Sequence, residues 1–301
     1  MFMNYSKHPF RVDQHLQLLI QRGLHVPDHE RAKKYLSNIG YYRLTGYMHH
    51  LQYNDGSHSF RENVKFDDVV AHYHFDKELR ILLSDYLARI EVALRARLID
   101  KFSIAHGFYW YQKEDLYVDK NVFRVVNEEI QKRFNQTQEQ FVRSFKLKYI
   151  NEKLPPCNMG LELLSFGKLS KLYEGLKNDE EKQNIAEEFK LVSKILSSWL
   201  RHLTNVRNVC AHHSRLWNRR FTADQPQIPS RKAFKFPDNV PNNFNSTLYG
   251  VISIMNRLLE AINPGNAFIK KMLELIEKFP GINLHFMGFP DNWREGPAWK
   301  L

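Results

Sequence analysis

Cysteines and long apolar runs are scarce in this chain of 301 residues. Its two cysteines, Cys157 and Cys210, cannot build a disulfide framework and fall short of a structural zinc site. No stretch approaches the roughly 18 apolar residues of a membrane-spanning helix, and the N-terminal MFMNYSKHPFR lacks the apolar run of a signal peptide. We therefore expect a cytoplasmic protein with reduced thiols and no membrane partner.

Acidic residues are also in deficit. The sequence has 44 lysines and arginines against 33 aspartates and glutamates, a formal net charge of +11. A net positive field favours polyanions, and nucleic acid is the commonest polyanion of the cytosol. A basic surface that serves only solubility is the alternative. A DNA-binding helical regulator is a more distant option, because the sequence shows no convincing helix-turn-helix signature.

Apolar residues recur at the spacing of amphipathic helices along most of the chain. The strongest pattern runs from Phe66 to about Phe102 without an internal proline or glycine, and it predicts one long helix. The other predicted helices cover residues 11–22, 28–38, 121–150 (as one or two helices), 161–177, 180–190, 192–216, 246–262 and 266–279. The sequence therefore predicts an all-α fold.

Four segments interrupt the predicted helices. IGYYRLTGYMHHL (39–51) predicts a tight packed corner, and YNDGSHSF (53–60) carries an Asp-Gly signal for a small hairpin or loop. Residues 222–246 are rich in proline and asparagine and predict a functional or wrapping loop. The tail at 281–299 is too aromatic to be free in solution, so we expect it to be packed.

These elements suggest three parts of one compact unit. We expect a helical N-terminal extension at residues 1–65 and a helical bundle at residues 66–217. A C-terminal loop and helices at residues 218–301 then pack on that bundle.

The stretch RNVCAHHSRLWNR (207–219) concentrates cationic and imidazole side chains on a predicted helix. At 100° per residue, one side of residues 199–217 is a core stripe of Trp199, Leu203, Val206, Cys210, His213 and Trp217. The opposite side is a polar ribbon of Arg201, Asn205, Asn208, His212 and Arg215. We therefore predict that His213 is buried and His212 is accessible in a basic groove. Arg207 lies at the flank, from which its long side chain can swing towards His212.

A cationic ribbon that carries an imidazole suits chemistry on a phosphodiester. Imidazole can take or give a proton near neutrality, and guanidinium matches phosphate oxygens and stabilises charge that gathers in a transition state. RNA supplies its own nucleophile, the 2′-OH, so a metal is not required. The competing interpretation is a solvated helix face that forms salt bridges.

The pattern Arg207-Asn208-x3-His212 resembles the Arg-x4-His signature of the HEPN superfamily. The wider RNVCAHHSRLWN resembles the abortive-infection (Abi) proteins of the AbiD/AbiF type, which are bacterial phage-defence factors. Further stretches carry the same resemblance in the order expected for that family, over nearly the whole chain. They are IGYYRLTGY (39–47), DKELRILLSDYLARIEVALR (76–95), LELLSFGKLSKLY (161–173) and MGFPDNW (287–293).

The resemblance implies that residues 66–217 form a HEPN-like catalytic bundle. HEPN ribonucleases need no metal or other cofactor and act as dimers, with two motifs in a cleft between protomers. In many of them the 2′-oxygen attacks the adjacent phosphorus and leaves a 2′,3′-cyclic phosphate. By that analogy His212 is the general acid or base, Arg207 stabilises the charge of the transition state, and Asn208 orients one of them.

Other residues are candidates for a supporting or RNA-binding role. His213, Arg215 and Asn218 match the Abi extension of the motif, and Arg201 and Asn205 lie on the same polar ribbon. Because HEPN enzymes are dimeric and toxin-like members are kept silent, the resemblance also implies a homodimer and an RNA or protein antitoxin.

Charged residues outside the motif have two interpretations. Glu91 and Arg95 stand four apart on the long predicted helix, where they can form a structural salt bridge or face the catalytic helix and hold Arg207. We favour the salt bridge. The same two interpretations apply to Glu78 with Arg80, and separately to Glu162.

Two functions follow from the sequence. The leading hypothesis is a metal-independent endoribonuclease that acts in abortive-infection phage defence by cleaving cellular or phage RNA. The alternative is a catalytically silent HEPN module that binds and sequesters RNA. Both use the same basic surface, so charge does not separate them, and the intact Arg207 and His212 pair favours the enzyme.

Overall fold

The computed structural model describes residues 8–229, 243–296 and 299. These residues form α-helices and short 3-10 helices, and their β-structure is limited to isolated bridges. The prediction of an all-α fold is confirmed. The α-helices are α1 (Val12–Gln21), α2 (His29–Ile39), α3 (Tyr41–Thr45), α4 (Phe66–His106), α5 (Lys120–Gln136), α6 (Gln140–Lys148), α7 (Cys157–Gly160), α8 (Phe166–Gly175), α9 (Glu180–Glu188), α10 (Ser193–Ala211), α11 (Leu248–Ile262) and α12 (Phe268–Lys278).

Each predicted helix is present, with ends that shift by a few residues. The pattern predicted between residues 121 and 150 forms two helices, α5 and α6. The difference that matters for the candidate motif is at α10, which ends at Ala211 and not at residue 216. Among the described residues, no helix combines the length and apolar character needed to cross a membrane.

The described chain forms two compact units. The first contains the residues up to Leu79 together with Glu274–Asn283, and the second contains Arg80–Leu273 and the residues from Leu284 onwards. This division does not coincide with the boundaries expected at residues 65 and 217. The difference arises within α4, because its first turns pack with the N-terminal helices: Tyr35 of α2, for example, meets the ring of Phe66 edge-on.

The first unit is built on the packing of α1 against α2 and on the corner that follows them. Gly40 joins α2 to α3 with a φ of +90°, a conformation that glycine adopts without strain. Leu44, Tyr47 and Met48 are buried behind this turn, so the predicted packed corner is confirmed. The predicted loop at 53–60 is closed by a hydrogen bond from the Tyr53 amide to the Ser59 carbonyl at 2.9 Å.

The core of the second unit forms where α4, α8 and α10 bury their apolar faces. Leu83, Tyr86, Ile90, Leu94 and Leu98 of α4 are all buried, as their three- and four-residue spacing predicts. Helix α8 packs closely on α10 at Gly167, which follows Phe166 at the start of α8. A Cβ atom at Gly167 would come within 3.1 Å of the Thr204 methyl group. This close packing positions α10, which carries the candidate motif.

The C-terminal tail packs as predicted. Phe289, Trp293 and Trp299 are buried and contact one another through their rings, and Tyr249 of α11 stacks on Trp299. The predicted loop at 222–246 is described only in part, since residues 230–242 lie outside the described residues.

Candidate functional site

Helix α10 carries the candidate motif near its C-terminal end. Trp199, Leu203, Val206 and Cys210 recur at helical spacing and are buried, so the predicted core stripe is confirmed as far as the helix extends. Burial of this stripe fixes the rotation of the helix about its axis. Arg207 and Asn208 are therefore held at its half-buried flank.

The helix ends in a Schellman motif, in which the residue after the last helical turn adopts a left-handed conformation. The His213 amide donates to the Cys210 carbonyl at 3.0 Å, and the Ser214 amide donates to the Val209 carbonyl at 3.0 Å. His213 has a φ of +53°, at a position where glycine is the usual residue. The chain therefore leaves the helix between His212 and Ser214.

The prediction that His213 is buried is wrong. It extended the helical phase to residue 217, whereas the helix ends at Ala211 and the left-handed turn directs His213 away from the core stripe. Both His212 and His213 are exposed, so the predicted accessibility of His212 is confirmed. Two neighbouring imidazoles are thus accessible at the end of α10.

Arg207 has no carboxylate partner among the described residues. Its Nε atom is buried and without a hydrogen-bond partner, and its half-buried side chain forms no ion pair in the described part of the chain. A buried donor without an acceptor costs free energy that a bound anion would recover. The side chains of Asn208 and His212 likewise form no hydrogen bond with another described residue. That Arg207 reaches His212 stays a prediction.

Two other polar residues of α10, Arg201 and Asn205, are bound to acidic groups of the protein. The Arg201 guanidinium donates to Glu174 at 2.6 Å, and its Nε lies 3.4 Å from Asp224. The Asn205 amide donates to the other Asp224 oxygen at 3.1 Å. Of the predicted ribbon, Arg201 and Asn205 are therefore already bound to carboxylates. A phosphate would have to compete with Asp224 for both.

Asp224 belongs to an extended segment, residues 221–227, that lies along α10. The Gln227 amide donates to the Ser198 hydroxyl at 3.0 Å, and the Trp199 indole donates to the Gln227 carbonyl at 2.8 Å. Asp224 itself has a left-handed φ of +52°. The described part of the predicted wrapping loop therefore contacts the helix that carries the motif.

The sequence pattern did not single out His202, a further residue of this helix. It is fully buried, and its Nδ1 donates to the Asp224 carbonyl at 3.1 Å. Burial lowers the pKa of His202 to about 4, against a weaker opposing effect of that hydrogen bond. Its position three residues after the core residue Trp199 was the available signal for burial.

The residues after the Schellman turn are held by an arginine of α4. Arg80 is buried, and its guanidinium lies within 3.5 Å of the Ser214 carbonyl. Asn218 is half-buried with a φ of +52°. Arg215, also half-buried, has its carbonyl hydrogen-bonded by the Arg219 Nε at 2.8 Å. The predicted supporting residues Arg215 and Asn218 thus lie in a turn with a defined backbone.

Glu91 and Arg95 form the structural salt bridge that we favoured. Their side chains meet at 2.9 Å. Arg95 also donates to the carbonyls of Leu161 and Leu164 at 3.1 and 3.2 Å. It therefore braces the turn before α8, and in the described chain it makes no hydrogen bond or ion pair with Arg207.

Glu162 adds a second carboxylate to Arg95 at 3.4 Å. Glu78 pairs with Lys278 at 2.8 Å. These acidic residues therefore have structural partners outside the motif.

Comparison with known proteins identifies the family. No curated protein and no solved structure matches the chain. A family model described as "Abi-like protein" matches residues 34–218, a range that covers more than half of the chain. The match includes the packed corner at 39–51, α4, α8 and the whole of the Arg207–His213 stretch. The chain is therefore a member of the Abi-like protein family.

Proposed function

We propose that this protein is a metal-independent HEPN endoribonuclease that acts in abortive-infection phage defence. The observation that carries the proposal is the end of α10. There, Arg207 has no carboxylate partner in the described chain, and an exposed His212 follows where the helix ends. Membership of the Abi-like family supports the role in abortive infection, and the Arg207-Asn208-x3-His212 pattern supports the HEPN chemistry.

The proposed reaction uses the nucleophile that RNA itself provides. The 2′-oxygen forms a bond to the adjacent phosphorus as the bond from phosphorus to the 5′-oxygen breaks, which leaves a 2′,3′-cyclic phosphate and a 5′-hydroxyl. One proton leaves the 2′-OH and one is added to the 5′-oxygen. His212 acts as general acid or base for one of these transfers, Arg207 stabilises the charge on the phosphoryl oxygens, and Asn208 orients one of the two.

The backbone at the end of α10 favours such a role. The Schellman hydrogen bonds and the contact of Arg80 with the Ser214 carbonyl hold the turn that carries both histidines. A site whose backbone is fixed before the substrate binds loses less free energy to ordering. We propose that a homodimer then brings two such motifs to one RNA.

The test compares cleavage of three matched substrates by the purified full chain in EDTA. The substrates are an RNA, the same RNA methylated at every 2′-oxygen, and the corresponding DNA. We expect cleavage of the unmodified RNA alone. His212→Ala should abolish most of this activity, whereas His58→Ala, which removes an exposed histidine of the first unit, should leave it unchanged.

Two outcomes would oppose the proposal. Tight RNA binding with no cleavage under any condition would support the silent RNA-binding module. Equal cleavage by the wild-type chain and His212→Ala would indicate a contaminating nuclease.

A further inference from the structure

Three metal-ligating side chains meet at the junction of two helices in the second unit. His106 is the last residue of α4, Asp179 is the residue that caps α9, and Glu181 lies in the first turn of α9. One ligand atom from each can be chosen so that all three atoms lie within 4.8 Å of one another. An imidazole from the end of α4 and two carboxylates from the start of α9 thus converge on one point.

The geometry of His106 is unusual for an ordinary salt bridge. Its Nε2 atom is buried and has no hydrogen-bond partner, and the nearest Glu181 oxygen lies 3.6 Å away, beyond hydrogen-bonding distance. Two ligands of a tetrahedral zinc ion, each with a bond of about 2.1 Å, are separated by about 3.4 Å. The observed separation therefore fits two ligands of one ion better than a hydrogen bond.

The two carboxylates have no direct ion pair with a lysine or arginine among the described residues, and Lys182 attracts Asp179 only over a longer distance. Only 20% of the Glu181 side chain is exposed. One Asp179 oxygen accepts the Lys182 amide at 3.2 Å, and its other oxygen is available to an ion.

The two helix ends at this junction act on a cation in opposite directions, because the N-terminus of α9, where Asp179 and Glu181 lie, carries a partial positive charge. The C-terminal carbonyls of a long helix carry a partial negative charge that stabilises a cation, and His106 lies in the last turn of α4, a helix of 41 residues. The cap made by Asp179 is an ordinary structural role. It does not account for the unpaired Nε2 atom of His106.

We infer that His106, Asp179 and Glu181 form a binding site for a divalent transition-metal ion of the zinc class, which ties the end of α4 to the start of α9. The imidazole favours zinc over magnesium or calcium, which prefer sites made of oxygen ligands alone. Three protein ligands leave at least one coordination position for water. The inference is independent of the proposed ribonuclease activity, because this ion has a structural role.

The experiment uses the full chain after removal of metal with EDTA and dialysis to remove the chelator. Calorimetric titration with zinc chloride should give one site per chain, and zinc should raise the unfolding temperature by several degrees. Cobalt(II) at the same site should give a visible absorption band, which reports direct coordination.

Variants identify the ligands. His106→Gln and Glu181→Gln should each weaken zinc binding at least tenfold and remove the cobalt band. Asp179→Asn keeps a capping side chain but should also weaken binding. The matched control is Glu180→Gln, which removes an exposed carboxylate in the same turn and should leave binding unchanged. Circular dichroism of the metal-free variants checks that they fold.

The inference is overturned if folded His106→Gln and Glu181→Gln bind zinc like the wild-type chain, which would place zinc on other histidines. It is also overturned if the wild-type chain does not bind zinc. Neither result involves RNA, so both are distinguishable from failure of the ribonuclease proposal.

Discussion

At the scale of single residues, His213 lies at a left-handed backbone position where glycine is the usual residue. Its φ of +53° is a conformation that costs an ordinary residue roughly 1–2 kcal/mol relative to glycine. The same Schellman geometry occurs after α9, where Lys190 has a φ of +56°.

We therefore predict that His213→Gly is more stable than His213→Ala by about 1 kcal/mol, since both variants lack the imidazole and differ in backbone freedom. Chemical denaturation measures this difference. Both variants should cleave RNA less well than the wild-type chain. Lys190→Gly and Lys190→Ala are the matched pair, with the same stability difference and unchanged cleavage. Equal stability of the two His213 variants would contradict the claim that the left-handed backbone at this position costs free energy in a residue other than glycine.

His202 predicts a second effect at this scale, on the dependence of stability on pH. Because burial lowers the pKa of His202 to about 4, the unfolded chain binds a proton near pH 6.5 while the folded chain does not. As the pH falls from about 6.5 to 4, the unfolded state is therefore favoured by up to about 3 kcal/mol. Above about pH 6.5 this histidine is neutral in both the folded and the unfolded chain, so it no longer lowers the free energy of unfolding.

Urea denaturation at pH 7.5 and 4.5 tests this assignment. His202→Leu should lose less stability between the two pH values than the wild-type chain does. The control is His58→Leu, which alters an exposed histidine and should keep the wild-type pH dependence. The same pH dependence in His202→Leu as in the wild-type chain would show that the buried imidazole does not cause it.

At the scale of helices and segments, the periodicity of apolar residues was sufficient to place the helices but not all of their ends. The pattern in α4 predicted a helix from Phe66 to about Phe102, and the helix extends to His106. The end of α10 was wrong by several residues because its left-handed position holds histidine. The sequence signal for such a position is glycine or asparagine. Because the helical phase was extended past the true end of α10, His213 was wrongly predicted to be buried.

The contacts of Asp224 were not predictable from the sequence either. They depend on how residues 221–227 lie along α10, and local periodicity contains no information about such a tertiary contact. Arg201 and Asn205 were correctly placed on α10. Their pairing with carboxylates of the protein appears only in three dimensions.

The Asp224 contacts lead to a prediction about RNA affinity. Asp224→Asn removes the negative charge that competes with phosphate for Arg201, so RNA should bind several-fold more tightly. Asp115→Asn makes the same change in net charge at an exposed site and is the control. Fluorescence anisotropy at several salt concentrations measures both affinities. Equal affinity changes in the two variants would indicate a general effect of charge. The proposal that the polar ribbon of α10 binds RNA would then lose its support.

At the scale of the whole molecule, the net charge of +11 favours RNA contact but names no site. Electrostatic binding to phosphates weakens steeply as salt rises, by an amount set by the number of phosphates contacted. We propose that an RNA or protein antitoxin covers the end of α10 and keeps the chain silent.

The proposed mechanism also predicts the oligomeric state. Since HEPN chemistry uses two motifs in one cleft, the chain should be a dimer at micromolar concentration, with activity that falls on dilution below the dissociation constant. Light scattering coupled to size-exclusion chromatography measures the mass. A monomer with full nuclease activity would contradict the dimeric cleft.

The most direct test of the central claim measures cleavage rate and RNA affinity together for three variants. His212→Ala should lower the single-turnover rate by about 10²–10⁴-fold, since it removes proton transfer. Arg207→Ala should lose roughly 3 kcal/mol of transition-state stabilisation. Arg220→Ala, at an exposed arginine beside the motif, should keep its rate. Affinity should change only a few-fold in all three, because we expect many other lysines and arginines to contact phosphate. A His212→Ala rate equal to that of Arg220→Ala would contradict the claim that His212 performs the chemistry.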